Sequence, residues 1–443
     1  MDTIVALSTP WGRSAIGVIR LSGPDSREIA SRVCPEGPDW VPRRASLRTV
    51  VDSDGSALDD VIAVWMPGPR SYTGEDIVEV SGHGNPVILA SIVDAFIAAG
   101  ARPARHGEFT RRALENGQTS ILKAESLQAL IDARTIDGVR DARDGMDGSL
   151  ERETAALRES LLDIAAELEA RLDHPDDDLS LETDEGVVEA LRGHAEQSTQ
   201  KADTWMQSKV KIQGASVALI GPVNAGKSSL FNHLVGSARA LVSDRPGTTR
   251  DVVERSVVMS GMDITFLDTA GEGGTEDSLE LAGVAMGQSV SAAAQLRLIV
   301  IPADRPVDAV SRGLMDRNQR VPHLVVGSFG DRQIHASGPA TNLIVNNVTG
   351  DGVDAVVSAI REELTNTAVS PGGAVVISQR QHDLFRSIAQ HCTDAAAALE
   401  GALGPAVAAA ELVWAIERLG ELEGIDAREA VLDRLFSRFC IGK

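Results

Sequence analysis

Residues 216–236 read SVALIGPVNAGKSSLFNHLVG. An apolar run ends at Ile220, Gly221 breaks it, and a helical pattern starts at Ser229. Between them, GPVNAGKS at 221–228 is a complete Gly-x4-Gly-Lys-Ser phosphate loop in the strand–turn–helix context that the motif needs. Gly221 and Gly226 let the backbone curl so that its N–H groups face an anion, and the helix N-terminus adds positive partial charge. Asn224, Ala225, Gly226, Lys227, Ser228 and Ser229 line the phosphates, with Lys227 neutralising the β and γ groups and Ser228 holding Mg²⁺. The chain has only six lysines, so one at this position is a pointed placement.

Two elements follow in order. DRPGTTRD at 244–251 sets Thr248 and Thr249 in a polar loop, where a threonine completes Mg²⁺ coordination and senses the γ-phosphate. DTAG at 268–271 ends the strand pattern DITFL; Asp268 suits a carboxylate behind Mg²⁺ and the Gly271 N–H suits the γ-phosphate, with Thr269 and Ala270 between them. Phosphate loop, threonine loop and DxxG together signal a GTPase.

The rhythm around these motifs gives the fold class. From about 212 to 370, the runs SVALIG, DITFLDTAG, LRLIVIP, HLVVG and NLIVN alternate with helical patterns, as in a doubly wound α/β, Ras-like sheet. Residues 1–117 predict an α+β domain, with strands AIGVIRLSG, DVIAVWMPG and DIVEVSGHG and a helix NPVILASIVDAFIAAG. Residues 118–211 read as helical; Leu157, Leu161, Ile164, Leu168 and Leu172 recur at steps of three and four. HPDDDLSLETDEG interrupts that pattern as an acidic helix–helix loop around Asp176, Asp177 and Asp178. Residues 371–443 are helical again, so the α/β module is inserted between two halves of a discontinuous all-α domain.

Composition bounds the function. At 443 residues with 43% hydrophobic and 3% aromatic residues, several aliphatic cores are expected. A net charge of −22 argues against a generally basic, nucleic-acid-coating surface. Arg102, Arg105, Arg111 and Arg112 read as a solvated surface. Cys34, Cys392 and Cys440 have neither metal-like spacing nor an even count, which suggests a reducing compartment. MDTIVALSTP lacks the pattern of a secretion signal, and no run of about 18 apolar residues occurs. No membrane association and a cytoplasmic location are expected.

GTTRD with DTAG resembles the translation-factor-like GTPases. DTIVALSTPWGRSAIGVIRLSG, SYTGEDIVEVSGHGNPVI, HGEFTRRALENG and the terminal FCIGK narrow this to the tRNA modification GTPase family, MnmE or TrmE, with similarity over the whole chain. The resemblance implies a homodimer that joins the FAD-dependent MnmG protein in a heterotetramer. The pair places an aminomethyl or carboxymethylaminomethyl group on C5 of the wobble uridine of certain tRNAs, with K⁺-dependent GTP hydrolysis. It implies a folate one-carbon carrier, of the 5-formyltetrahydrofolate type, bound to a dimerising N-terminal domain.

Carried over residue by residue, Ser228 and Thr249 resemble the Mg²⁺ ligands. Asn224, in the phosphate loop, resembles the side-chain K⁺ ligand, and Ser243, Arg245 and Thr248 resemble the rest of the K⁺ site, in a nucleotide-contacting loop that also holds Asp244, Pro246 and Gly247. Glu280 aligns with the glutamate that orients the attacking water; alone it reads as an exposed helix residue. Arg20 and Glu79 match folate contacts, Arg20 toward a carboxylate and Glu79 toward the pterin. Resemblance also brings Cys440, a candidate for catalysis or positioning, and Lys443, a candidate folate-carboxylate partner, beside that site. Without it, the tail would read as a frayed end.

The sequence departs from the family in places. The guanine-reading Asn-Lys-x-Asp is SFGD here, so Ser328 and Phe329 replace Asn and Lys and only Asp331 remains. Weaker or less selective guanine binding is expected, with Phe329 available to stack on the base. The following loop reads NNVTGDG. Gln118 stands where the family has lysine, SILKAES is altered, and EGGTEDS after DTAG predicts a mobile, solvated switch loop. Two other readings share the G-domain motifs: a GTP-dependent RNA or ribosome-assembly switch, and a degenerate paralogue that scaffolds without turnover.

Overall fold

The computed structural model describes residues 2–173, 184–237, 253–259, 262–268, 294–319, 321–365, 374–401, 403–425, 429–437, 439 and 441–442. The chain starts with β1 (Ile4–Leu7), β2 (Ile16–Ser22), α1 (Ser26–Val33), β3 (Ser46–Val51), β4 (Ala57–Met66), β5 (Ile77–His83), α2 (Pro86–Ala98), β6 (Arg102–Pro103) and α3 (Glu108–Glu115). Four helices follow, α4 (Ile121–Asp132), α5 (Ile136–Met146), α6 (Ser149–Asp173) and α7 (Asp184–Gln213). Next come β7 (Ala215–Ile220), α8 (Lys227–Ser237), β8 (Val253–Met259), β9 (Met262–Asp268), β10 (Leu296–Pro302), α9 (Ala309–Asn318), β11 (His323–Ser328) and α10 (Val353–Thr365). Helices α11 (Gln379–Glu400), α12 (Pro405–Glu423) and α13 (Glu429–Phe436) close the chain. It divides into two compact units, residues 1–128 with 154–159 and 416–443, and residues 129–153 with 160–415. No helix among the described residues is long and apolar enough to cross a membrane.

In the first unit a six-stranded sheet runs β3-β4-β5-β2-β1-β6, antiparallel except for the parallel β1–β6 edge. β1 is apolar throughout because both of its faces are covered. Val5 packs with Ile29, Leu89, Ile92 and Phe96 from α1 and α2, while Ile4 and Ala6 pack against Phe109 of α3. The sequence NP sets the start of α2: the Asn85 side chain accepts from the Val87 N–H at 2.9 Å, and Pro86 costs nothing at a position whose N–H has no helical partner.

Arg112 corrects the solvated reading of the arginine cluster. It is 5% exposed and donates to the Asp2 carbonyl and carboxylate and to Glu75 and Glu108, at 2.7–3.2 Å. Arg102 is tied to Asp2 and Glu108, and Arg111 to Glu115 and Asp433; Arg105 is exposed. Acid partners scattered over the sequence turn these arginines into struts.

In the second unit the sheet order is β11-β10-β7-β9-β8. β9, β7, β10 and β11 are parallel, and β8 is antiparallel at the edge. Val217 and Leu219 face the core built with Leu230, Phe231 and Leu234 of α8 and Val356 and Ile360 of α10. Ile220, Ile299 and Ile301 face Leu314 of α9. Two-sided burial explains the near-continuous apolar runs.

NLIVN, expected as a strand, makes only one isolated bridge, Gly327 to Ile344. Asn346 then draws the chain into a turn, its Oδ1 accepting from the Val348 and Thr349 N–H groups. α7 and α11 lie antiparallel: Asp203 pairs with Arg386, Arg192 with Glu400, and Trp205 Nε1 donates to Gln379 at 3.1 Å. On α6, Leu161, Ile164 and Leu168 are buried as expected, but Leu172 near its end is exposed. The acidic stretch around Asp176–Asp178 lies outside the described residues.

Candidate functional site

The parallel strands β7, β10, β11 and β9 end on one side of the sheet, where ligands of open α/β folds are held. Gly221 leaves β7 so close to β10 that a Cβ would lie 2.4 Å from the Val300 carbonyl oxygen. Gly226 has φ +87°, a conformation L side chains rarely adopt. Asn224 between them takes φ +59°, which asparagine tolerates. It is exposed, and its carboxamide makes no hydrogen bond among the described residues.

Lys227 is 7% exposed, and its Nζ donates to the Gly221 and Pro222 carbonyls at 3.3 and 3.1 Å. A buried ammonium held by its own loop is poised for a stronger anionic partner. Ser228 Oγ donates to Asp268 Oδ2 at 2.8 Å, bringing together residues forty positions apart. Asp268 Oδ1 is buried with no hydrogen-bond partner among the described residues. A hydroxyl and a half-satisfied carboxylate beside the phosphate loop are a donor set suited to Mg²⁺.

The turn after β11 departs from the sequence pattern. Ser328 ends β11 at 1% exposure, and its Oγ has no partner among the described residues. Phe329 has φ +59°, and Arg332 stacks 4.5 Å from its ring centroid while Asp304 holds Arg332 at 2.7 Å. One face of Phe329 is thus already covered. Both Arg332 and Arg305 hold the Asp304 carboxyl below its ordinary range. Asp331 is exposed in the same turn.

Asn347, from NNVTGDG, was not singled out by sequence reasoning. Its Nδ2 donates to the Gly226 carbonyl at 3.2 Å, its Oδ1 accepts from the Phe329 N–H at 3.0 Å, and its carbonyl lies 3.0 Å from His233 Nε2. The only signal was a pair of polar residues before a glycine turn. Ser243, Asp244, Arg245, Pro246, Gly247, Thr248, Thr249, Thr269, Ala270, Gly271, Glu280 and the EGGTEDS loop lie outside the described residues.

In the first unit, Arg20 and Glu79 face each other across β2 and β5 and form an ion pair at 2.7 Å. The separate expectations for them therefore meet in one pair. Both contacts between Arg20 and Glu79 run to Oε1, leaving Oε2 without a partner among the described residues. Tyr72 and Phe109 lie 5.4 and 5.8 Å beneath the guanidinium. Gln118 is exposed, and its Nε2 donates to the Asn116 carbonyl at 3.3 Å.

The chain end is anchored there. Phe439 is 2% exposed, packed with Phe436 and Ala124, and its carbonyl lies 3.0 Å from His106 Nδ1. Ile441 bridges to His106, and the Gly442 carbonyl accepts from Ser8 Oγ at 3.2 Å and Arg20 at 3.4 Å. The frayed-end reading fails for Phe439, Ile441 and Gly442; Cys440 and Lys443 lie outside the described residues.

A parallel sheet with a phosphate loop at its carboxyl edge and a Ser228–Asp268 pair beside it defines a P-loop nucleotide-binding protein of the GTPase class. The family model for the GTP-binding protein TrmE N-terminus matches residues 3–118, and that for the MnmE helical domain matches residues 121–440. The tRNA modification GTPase MnmE of Synechococcus sp. (strain CC9605) is 37% identical over 457 residues, covering 100% of this chain and 99% of its own. That of Myxococcus xanthus (strain DK1622) is 38% identical over 447 residues, with 100% and 99% covered. A crystal structure of Aquifex aeolicus Era bound to GDP.AlF4- overlaps at 21% identity, covering 41% of this chain and 70% of that chain with a TM-score of 0.28. The chain belongs to the tRNA modification GTPase family, MnmE.

Proposed function

We propose that this protein couples K⁺-dependent GTP hydrolysis to modification of C5 of the tRNA wobble uridine. It does so as a cytoplasmic homodimer with an FAD-dependent MnmG partner. The observation that carries the reading is the Ser228–Asp268 pair beside an intact phosphate loop, in a chain related over its full length to tRNA modification GTPases.

In this reading the loop N–H groups of residues 224–229 cradle the phosphates. Lys227 exchanges the Gly221 and Pro222 carbonyls for phosphate oxygens, a charge-assisted contact stronger than the neutral ones it leaves. Ser228 and Thr249 are the residues to hold Mg²⁺, with Asp268 behind them; when bound, that ion neutralises charge on the phosphates. Asn224, with its unpartnered carboxamide, joins Ser243, Arg245 and Thr248 as the K⁺ ligands, supplying positive charge where an arginine finger acts in other GTPases. Glu280 orients the attacking water. Thr269, Ala270 and Gly271 complete the γ-phosphate contacts, and Asp331 accepts from guanine N1 and N2.

The folate carrier is assigned to the first unit. The unpartnered Oε2 of Glu79 is an acceptor for pterin N–H groups, over the aromatic floor of Tyr72 and Phe109. Gln118 supplies a hydrogen bond without charge, and Arg20 and Lys443 are the cations assigned to the folate carboxylates. Cys440 is assigned to catalysis or substrate positioning at the one-carbon unit, as the family resemblance implies.

The test is GTP turnover by the purified protein in K⁺ against Na⁺, with ATP as competitor. Hydrolysis that needs K⁺ and ignores ATP is expected. No turnover in either salt would overturn the enzymatic reading, and equal hydrolysis of ATP would overturn the assignment of Asp331.

A further inference from the structure

Ser328 and Asn347 belong to none of the motifs that carry the phosphate chemistry, yet both sit against the loop that does. Asn347 ties two segments that the chain separates widely, the phosphate loop through the Gly226 carbonyl and the turn after β11 through the Phe329 N–H. Gly226 makes this approach possible, since a Cβ there would lie 2.1 Å from Asn347 Nδ2 and 3.5 Å from the Ser328 Cβ. The Ser328 hydroxyl is therefore held within a few ångströms of the phosphate loop, at the carboxyl end of the parallel edge strand β11. It is 1% exposed and without a partner among the described residues. A buried hydroxyl left unsatisfied is costly, so it marks a place where a bound group completes the hydrogen bonding.

We infer that Ser328 is the hydroxyl that contacts the purine of the bound nucleotide, and that Asn347 is the positioning residue that fixes its turn against the phosphate loop. The inference rests on the nucleotide-binding reading above and adds how the base end works without the motif's Asn and Lys. A hydroxyl both donates and accepts. It serves the acceptor edge of guanine and the mixed edge of adenine alike, so Ser328 adds affinity without selectivity. Selectivity then rests on the Asp331 carboxylate, which accepts from guanine N1 and N2. The Phe329 ring, covered on one face by Arg332, stiffens this turn.

The experiment is calorimetric titration of the full chain with GDP, ADP and inorganic tripolyphosphate. It uses the parental protein, Ser328→Ala, Asn347→Ala and the double variant, each with a thermal melt. For Ser328→Ala, GDP and ADP affinity should fall by the same factor, about five- to tenfold for one neutral hydrogen bond. Tripolyphosphate affinity should be unchanged and the melting temperature not lowered. Asn347→Ala should weaken GDP at least about tenfold, and adding Ser328→Ala should then cost almost nothing, because the turn is already released. Additive losses would make Asn347 a structural residue only. If Asn347→Ala does not fold, Ser328→Ala alone decides. Parental GDP affinity in that variant, or an equal loss for tripolyphosphate, overturns the inference. A parental protein that binds neither GDP nor tripolyphosphate would instead overturn the nucleotide-binding reading itself.

Discussion

Replacing Gly442 by alanine tests whether the docked chain end is part of the tRNA chemistry. Gly442 has φ +99°, and a Cβ there would lie 2.5 Å from the Leu7 carbonyl oxygen and 2.8 Å from the Ser8 Cα. Both obstacles are backbone atoms of the stretch that leaves β1, so no side-chain rotation relieves them. The positive φ costs an alanine about 1–3 kcal/mol, and the forced contact adds about 1–3 kcal/mol. A total of roughly 2–6 kcal/mol shifts docking of the last residues by at least about 30-fold, at 1.4 kcal/mol per factor of ten. The global cost is capped at about 3 kcal/mol, because among the described residues undocking loses the Ile441 bridge and the two Gly442 hydrogen bonds, at about 1 kcal/mol each. Phe439 keeps its seat in the core. The expected outcome is a melting temperature within a few degrees of parental, fast amide exchange at residues 441–442, parental GTP turnover, and tRNA modification reduced at least about 30-fold. Slow exchange with full modification would show that the steric argument is wrong. Fast exchange with full modification would remove Cys440 and Lys443 from the mechanism.

Asp268→Asn keeps the size of the side chain and a hydrogen-bond acceptor for Ser228 but loses the charge. GTP turnover should fall by at least about 100-fold with a weaker apparent Mg²⁺ affinity, read from rates across a Mg²⁺ titration. Arg112→Met should cost about 3–5 kcal/mol of unfolding free energy in chemical denaturation, because it leaves Glu75 and Glu108 facing each other without the buried cation. Stability should also decline in acid. Burial alone would raise the Glu108 carboxyl, but hydrogen bonds from Arg102, the Arg105 N–H and Arg112 outweigh it and hold it low; Arg102 and Arg112 do the same for Asp2. A depressed carboxylate contributes stability above its unfolded value, about 4, and loses it as pH falls through the folded value. Melting temperatures from pH 7 down to about pH 2.5 should therefore drop below about pH 4, and Glu108→Gln should flatten that drop.

What the sequence revealed was whatever chemistry it stores contiguously. The phosphate loop and the strands buried on both faces stand out because the residues that act together also adjoin. β8 does not stand out: Glu254 and Arg255 are exposed, and among its described side chains only Val257 and Met259 are buried on this edge strand. NLIVN has the composition of a strand, but the Asn346 turn takes the backbone that a longer ladder would need. Arg112 reads as one of several surface arginines until Asp2 and Glu75 arrive from two distant segments to join Glu108, one turn earlier on the same helix.

The same distinction bears on the lost guanine motif. Read along the chain, SFGD is a motif with its first two members missing. In space, the amide that bridges the turn to the phosphate loop comes from Asn347, nineteen positions beyond Ser328, because the turn after Ile344 returns that segment to Gly226. A short serine at 328 leaves room for that bridge beside Gly226. The two changes therefore depend on each other: lengthening Ser328 toward asparagine would crowd the Asn347 amide. Restoring the usual residue at 328 alone should weaken nucleotide binding rather than improve it.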